Sequence, residues 1–279
     1  HWHGIAVPNI ADGPAGVTQN GVPPGQSYEY DFVANAAGTY WYHSHQEPFV
    51  QIPRGLLGAL IVDSPDPVSF DREYTVVYHD HTQPVRTLPE IVKKILGSRD
   101  RDAIAVNNTN GMLELPAQPG ERVRLRLING TASEATAYGD PLRIVPLGVT
   151  YEVIALDGND VNRPGEISAQ ILPIGSGQRY DLAFTMPASG GVTLVDKDQS
   201  DMVKLGRGPE PTVPDLTTLP TFDLTSYGQP GPAAITPDST FDVTHDVTLG
   251  AAPGFHNGEF GLTHTINGET FPDAAMLQV

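Results

Sequence analysis

Two stretches of this chain alternate strictly between two residue classes, and each is set off by a Pro-Gly pair. Tyr28-Glu29-Tyr30-Asp31-Phe32 follows Pro24-Gly25 and alternates aromatic with acidic residues. Val123-Arg124-Leu125-Arg126-Leu127 follows Pro119-Gly120 and alternates aliphatic with basic residues. A period of two sends successive side chains to opposite faces, so both runs predict strands entered from a turn. Shorter apolar runs over Gly58 to Val62, Tyr74 to Tyr78, Tyr151 to Leu156 and Gly191 to Val195 predict more deeply buried strands. With 29 glycines and 26 prolines in 279 residues, against an ordinary share of about 12 %, turns are frequent and long helices few. One short helix is expected around Leu88 to Leu96, where Pro89 suits a first turn. The fold class that follows is all-β, a sandwich of the immunoglobulin or cupredoxin kind with antiparallel strands.

The chain also repeats itself. Gly25-Gln26-Ser27-Tyr28-Glu29-Tyr30-Asp31-Phe32 matches Gly177-Gln178-Arg179-Tyr180-Asp181-Leu182-Ala183-Phe184. Asn110-Gly111 is echoed by Asn267-Gly268, each shortly followed by a proline. Two similar sandwiches in tandem, with a third beginning near the end, account for both matches. Boundaries are expected at the Pro-punctuated link Asp63 to Pro67 and across the Pro/Gly/Thr-rich stretch Gly206 to Pro237.

The net charge of −17 argues against nucleic acid, whose phosphates call for a basic surface. No apolar run reaches the roughly 20 residues of a membrane-spanning helix. The chain has no cysteine, which rules out disulfides, thiolate metal sites and a cysteine nucleophile within it.

Histidine is where chemistry concentrates. Nine histidines include three His-x-His pairs: His1/His3, His43/His45 and His79/His81. Residues i and i+2 of a strand share one face about 6.5–7 Å apart. Two imidazoles so placed can serve two ions of a cluster or together hold one borderline metal such as copper or zinc. The repeat copy of the His43/His45 region carries no histidine, falling on Val195 and Lys197 or on Asp196 and Asp198. The sandwich therefore does not need these histidines to fold. His79/His81, between Tyr78 and Thr82, reads as a polar strand end, and His245, His256 and His264 read as structural or exposed.

These motifs carry a resemblance. His1-Trp2-His3-Gly4, Asp12-Gly13, Gly38-Thr39-Tyr40-Trp41-Tyr42-His43-Ser44-His45 and Arg54-Gly55-Leu56-Leu57-Gly58, in that order, resemble the first cupredoxin domain of multicopper oxidases, the laccase-like family. Residues from about Arg72 to Val195 resemble the second domain, which binds no catalytic copper, and Thr265 to Pro272 resembles an opening segment of the third. The resemblance implies tandem cupredoxin-like Greek-key sandwiches, truncated at both ends. It assigns 1–65 to the C-terminal part of the first domain with its copper motifs, 66–205 to the second domain, and 206–279 to a linker and the third domain's opening strands. It implies that His1 ligates a type 2 copper, His3 and His43 one type 3 copper and His45 the other, with Asp12 relaying protons. The implied activity is one-electron oxidation of a phenol, pigment or metal ion coupled to reduction of O2 to water, in a periplasmic or extracellular protein that could form an oligomer. The third-domain motifs His-Pro-x-His-x-His and His-Cys-His are absent from this sequence. Half of the trinuclear site is thus expected, without type 1 copper ligands. The alternative is a non-enzymatic copper-binding or scaffold protein of the same fold.

Overall fold

The computed structural model describes residues 1–80, 104–109, 111–132, 141–197, 201–231, 235–236, 238–256, 259–270 and 273–274. The helix expected near Leu88 to Leu96 lies outside the described residues, as does His81. In chain order the strands are β1 (Trp2–His3), β2 (Gly38–His43), β3 (Leu57–Val62), β4 (Arg72–Asp80), β5 (Ile104–Val106), β6 (Leu113–Leu115), β7 (Arg122–Asn129), β8 (Leu142–Leu147) and β9 (Thr150–Leu156). There follow β10 (Asn159–Asp160), β11 (Glu166–Ser168), β12 (Leu172–Ile174), β13 (Arg179–Thr185), β14 (Val192–Asp196), β15 (Asp201–Leu205), β16 (Leu249–His256) and β17 (Glu259–Ile266). A one-turn helix, α1 (Pro48–Gln51), sits between β2 and β3. The fold is nearly all β and cupredoxin-like.

Contacts divide the chain into two compact units, His1–Pro230 and Gly231–Val279. Within the first, β1, β2 and β3 form a three-stranded sheet in that order. A sheet ordered β10-β9-β13-β7-β4-β5, with β11 also on β9, packs on a second ordered β12-β8-β14-β15-β6. Their shared core is built by Val76, Leu125, Val153 and Leu182 from one sheet and Leu142, Ile144, Leu194 and Val203 from the other, all below 1 % exposed. In the Gly231–Val279 unit the described strands are the antiparallel hairpin β16-β17.

The sandwich is not wholly antiparallel. β4 pairs with β7, and β6 with β15, in parallel. Parallel neighbours need a long crossover, and both pairs join strands well separated in sequence. Four of the expected strands are present as β3, β4, β9 and β14, and the run at 123–127 is β7. Its alternation has a reason beyond solvent. Val123, Leu125 and Leu127 enter the sandwich core, whereas Arg126 on the opposite face is 5 % exposed because the three-stranded sheet covers it. Arg126 Nη1 donates to Thr39 Oγ1 of β2 at 2.9 Å and to Asp181 Oδ2 of β13 at 3.2 Å. Thr39 Oγ1 in turn donates to Asp181 Oδ1 at 2.7 Å. A buried ionic and hydrogen-bonded cluster thus ties β2 to the sandwich, as buried charges require.

The run at Tyr28 to Phe32 departs from expectation, for no described strand covers it. Its apolar members instead pack on a strand from the side: Trp2 meets Tyr30 and Phe32 with ring centroids 5.6 and 5.1 Å apart. The alternation therefore serves side-chain packing without a backbone ladder.

Candidate metal centre

The site is assembled by the register of β1 on β2. His3 lies opposite Trp41 and Trp2 opposite Tyr42. One residue further, His1 and His43 exchange backbone hydrogen bonds, N to O, of 2.9 and 3.0 Å. Cross-strand partners share a face and alternate residues share it too. His1, His3, Trp41 and His43 therefore stand on one side of the ribbon. Trp2 and Tyr42, rings 5.7 Å apart, stand on the other. His45 lies just past β2 and brings its ring to 5.3 Å from that of His1 and 5.8 Å from that of His43.

Ligand nitrogens of His1, His3 and His43 all lie within 4.8 Å of one another. His3 Nδ1 and His43 Nε2 face each other at 3.3 Å. Two nitrogens each about 2.0 Å from one ion at a tetrahedral angle would stand roughly 3.3 Å apart, so this spacing suits a shared metal ion. The Nδ1 atoms of His43 and His1 are engaged. His43 Nδ1 donates to Ser44 O at 3.0 Å, and His1 Nδ1 donates to Asp12 Oδ1 at 3.1 Å. Such bonds fix the tautomer and leave Nε2 with a free lone pair.

The floor under the imidazoles is aromatic. Trp41, 3 % exposed, stacks on His43 at 4.1 Å between centroids and on His3 at 5.0 Å. Beneath, Trp41 packs with Ile52, Ile128 and Ala132, the last two from the sandwich. This desolvation decides the protonation state. Burial pushes the His3 imidazole down to about 4, helped by the nearby Arg179 guanidinium and by His45. Burial likewise pushes His43 down to about 4, against the opposing bond to Ser44. His45, at the rim, is lowered too, chiefly by desolvation. His3, His43 and His45 are therefore neutral at pH 7, with lone pairs available to a metal ion. That donor set fits a borderline cation such as copper.

All five residues singled out in the sequence, His1, His3, Asp12, His43 and His45, come together here. His79 does not join them. It is the penultimate residue of β4, near the strand end as expected, but is buried, 4 % exposed, and lines a cleft of about 230 Å³ with Leu57 and Gly58 of β3 and Val77 and Asn107 of the sandwich. Its Nδ1 donates to Asp80 O at 2.9 Å. Of the isolated histidines, His245 and His264 are exposed. Sequence reasoning missed two residues that touch the site from the sandwich, Gly177 and Arg179. In the repeat Gly177 corresponds to Gly25 and Arg179 to Ser27, so the shared glycine carries no signal and the Arg in place of Ser is one of four differences between the copies.

Comparison with known proteins bears on this geometry. Family models described as multicopper oxidase match residues 1–67 and 73–195. Copper resistance protein A of Escherichia coli is 29 % identical over 83 % of this chain and 45 % of that protein. Multicopper oxidase MmcO of Mycobacterium tuberculosis is 31 % identical over 69 % of this chain and 42 % of that protein. The chain thus spans about half the length of the curated relatives it matches. Among solved structures, a multi-copper oxidase from Pseudomonas thermotolerans superposes with a TM-score of 0.60 at 28 % identity, over 77 % of this chain and 51 % of that one.

Proposed function

The chain belongs to the multicopper oxidase family, and from that premise we propose that it carries half of a trinuclear copper site. In this reading His1 serves the type 2 ion, His3 and His43 one type 3 ion, and His45 the other. The observation that carries it is the 3.3 Å approach of His3 Nδ1 to His43 Nε2, with a His1 ligand nitrogen within 4.8 Å of both. Residues 1–65 then form the copper-bearing part of a first cupredoxin domain, 66–205 a second domain without catalytic copper, and 206–279 a linker and the opening strands of a third. Copper held here would supply the reduction of O2 to water, driven by one-electron oxidation of a phenol, pigment or metal ion at a type 1 site.

The chain's own residues do three things toward that chemistry. Trp41 and the sandwich beneath it keep His3 and His43 desolvated and neutral, so protons do not compete with metal at pH 7. The β1–β2 register holds His1, His3 and His43 on one rigid face, which limits the reorganisation that binding would require. Asp12, hydrogen bonded to His1 Nδ1, is the group placed to hold a proton beside the site and pass it inward. Electron entry through a type 1 ion needs a cysteine thiolate, and this chain contains none. The same lack of cysteine is what favours the second reading, a copper-binding scaffold without turnover. A periplasmic or extracellular place suits both readings. Among the described residues no helix is long and apolar enough to cross a membrane.

Equilibrium dialysis against copper tests the assignment. The chain should retain roughly one to two copper ions, and His3→Ala with His43→Ala should abolish retention while far-ultraviolet circular dichroism is unchanged. Retention unaffected by the double substitution would overturn the reading.

A further inference from the structure

The copper reading leaves the second sandwich without a chemical task, yet its Gly177 packs against the proposed ligand His3 and its Arg179 against Gly4, the next residue. Gly177 lies in the turn that enters β13, with φ +83°. A Cβ at this position would lie 2.8 Å from His3 Cε1 and 3.0 Å from His3 Nε2. Only a residue without a side chain lets the imidazole occupy that place. The turn itself is fixed from the sandwich side: Gly177 N donates to Asn129 O at 2.7 Å, and Gly175 N to Gln178 Oε1 at 2.7 Å.

Arg179, 3 % exposed, links this turn to the strand that carries His43. Its Nη1 donates to Gly177 O at 3.0 Å and its Nε to Thr39 O of β2 at 3.0 Å. Asp157 Oδ1 lies 3.2 Å from Nη1 and balances the charge. The remaining nitrogen, Nη2, has no hydrogen-bond partner among the described residues and packs against Gly4, the residue after His3. One guanidinium thus braces β2, the Gly177 turn and the end of β1 at once.

We infer that Gly177 and Arg179 are positioning residues that set which nitrogen of His3 faces the copper site. Gly177 backs the Cε1–Nε2 edge of the ring, and Nδ1 is left to meet His43 Nε2. The inference rests on the reading of His3 as a copper ligand. Metal–ligand distances tolerate only about 0.2 Å, so a ring displaced by a methyl group loses its place in the site. Groups that orient a ligand without binding metal commonly change affinity 10- to 100-fold when altered.

Copper(II) titration of the 279-residue chain, followed by electron paramagnetic resonance of the loaded protein, tests this. Gly177→Ala should weaken copper binding about 10- to 100-fold and alter the copper spectrum. Gly120→Ala is the control, because Gly120 has nearly the same backbone, φ +81°, and a Cβ there meets nothing within 4 Å. It should share any loss of thermal stability caused by backbone strain and leave affinity and spectrum as in the parent. Arg179→Lys cannot brace both carbonyls at once and should weaken binding in the same direction. It also carries the test if Gly177→Ala does not fold. Parent-like affinity and spectrum in Gly177→Ala, or in Arg179→Lys where the first does not fold, would overturn the inference, as would an equal loss in Gly120→Ala. If the parent takes up no copper, the ligand assignment itself falls, and that outcome is distinct from the others.

Discussion

Of the proposed ligands His1 has the least support from the core, since it precedes β1 and depends on its backbone pairing with His43 and on Asp12. The Asp12 carboxylate fixes the ring by accepting from Nδ1, which presents Nε2 to the other imidazoles. Asp12→Ala removes that acceptor and frees the ring to turn. Copper affinity should fall about 10-fold with little change in the denaturation midpoint, because the pair is half-exposed and exposed ion pairs contribute roughly 0–1 kcal/mol. A competition titration against a chelator of known affinity measures the loss, and unchanged affinity would remove Asp12 from the site. At this scale the sequence was legible where chemistry follows local spacing. His1/His3 and His43/His45 share faces because the strand period is two, and that can be read without a structure. Gly177 and Arg179 could not be assigned in this way, because the contacts of Gly177 with His3 and of Arg179 with Gly4 depend on how the second sandwich meets β1 and β2.

Strand pairing explains why one alternating run became a strand and the other did not. β7 has β4 on one side and β13 on the other, so its backbone groups are satisfied and both faces are covered. Tyr28 to Phe32 has the same pattern but no ladder among the described residues, and its rings settle on Trp2. Alternation reports which side chains are apolar, not whether a partner strand is present. The polar face of β7 is where the three-stranded sheet joins the sandwich. Asp181, 1 % exposed, accepts from Arg124 Nη2 at 2.5 Å, Arg126 Nη1 at 3.2 Å and Thr39 Oγ1 at 2.7 Å. Asp181→Ala leaves two guanidinium groups without their shared acceptor beneath β2. Removing one partner from a buried ionic cluster costs about 3–5 kcal/mol, and urea denaturation should register that loss. A cost below about 1 kcal/mol, the range of exposed pairs, would show that water or Glu73, already 2.9 Å from Arg126 Nη2, takes over the charges.

Across the whole molecule, the ligands proposed for copper all fall in the His1–Pro230 unit, on or beside β1 and β2 of its three-stranded sheet. The second unit holds His245 and His264, both exposed, and its described strands form one hairpin. Composition could not distinguish the units, because acidic residues and turns run throughout. Histidine spacing could, since paired imidazoles on a strand occur only before residue 82. A ligand that binds only the folded state stabilises it by RT ln(1 + [L]/Kd), or about 2.7 kcal/mol at 100 times Kd. For a unit of this size, that corresponds to roughly 5–10 °C in Tm. Copper should therefore raise the melting temperature of the His1–Pro230 unit alone. Hydrogen exchange read by peptide would localise the effect. Protection should rise over Trp2–His3, Gly38–His43 and, through the turn braced by Arg179, the start of β13. It should be unchanged over Leu249–His256 and Glu259–Ile266. Protection confined to that hairpin would place the metal there and remove the β1–β2 site. Protection of β1 and β2 without β13 would leave the histidine assignment standing while showing that the second sandwich does not share in binding.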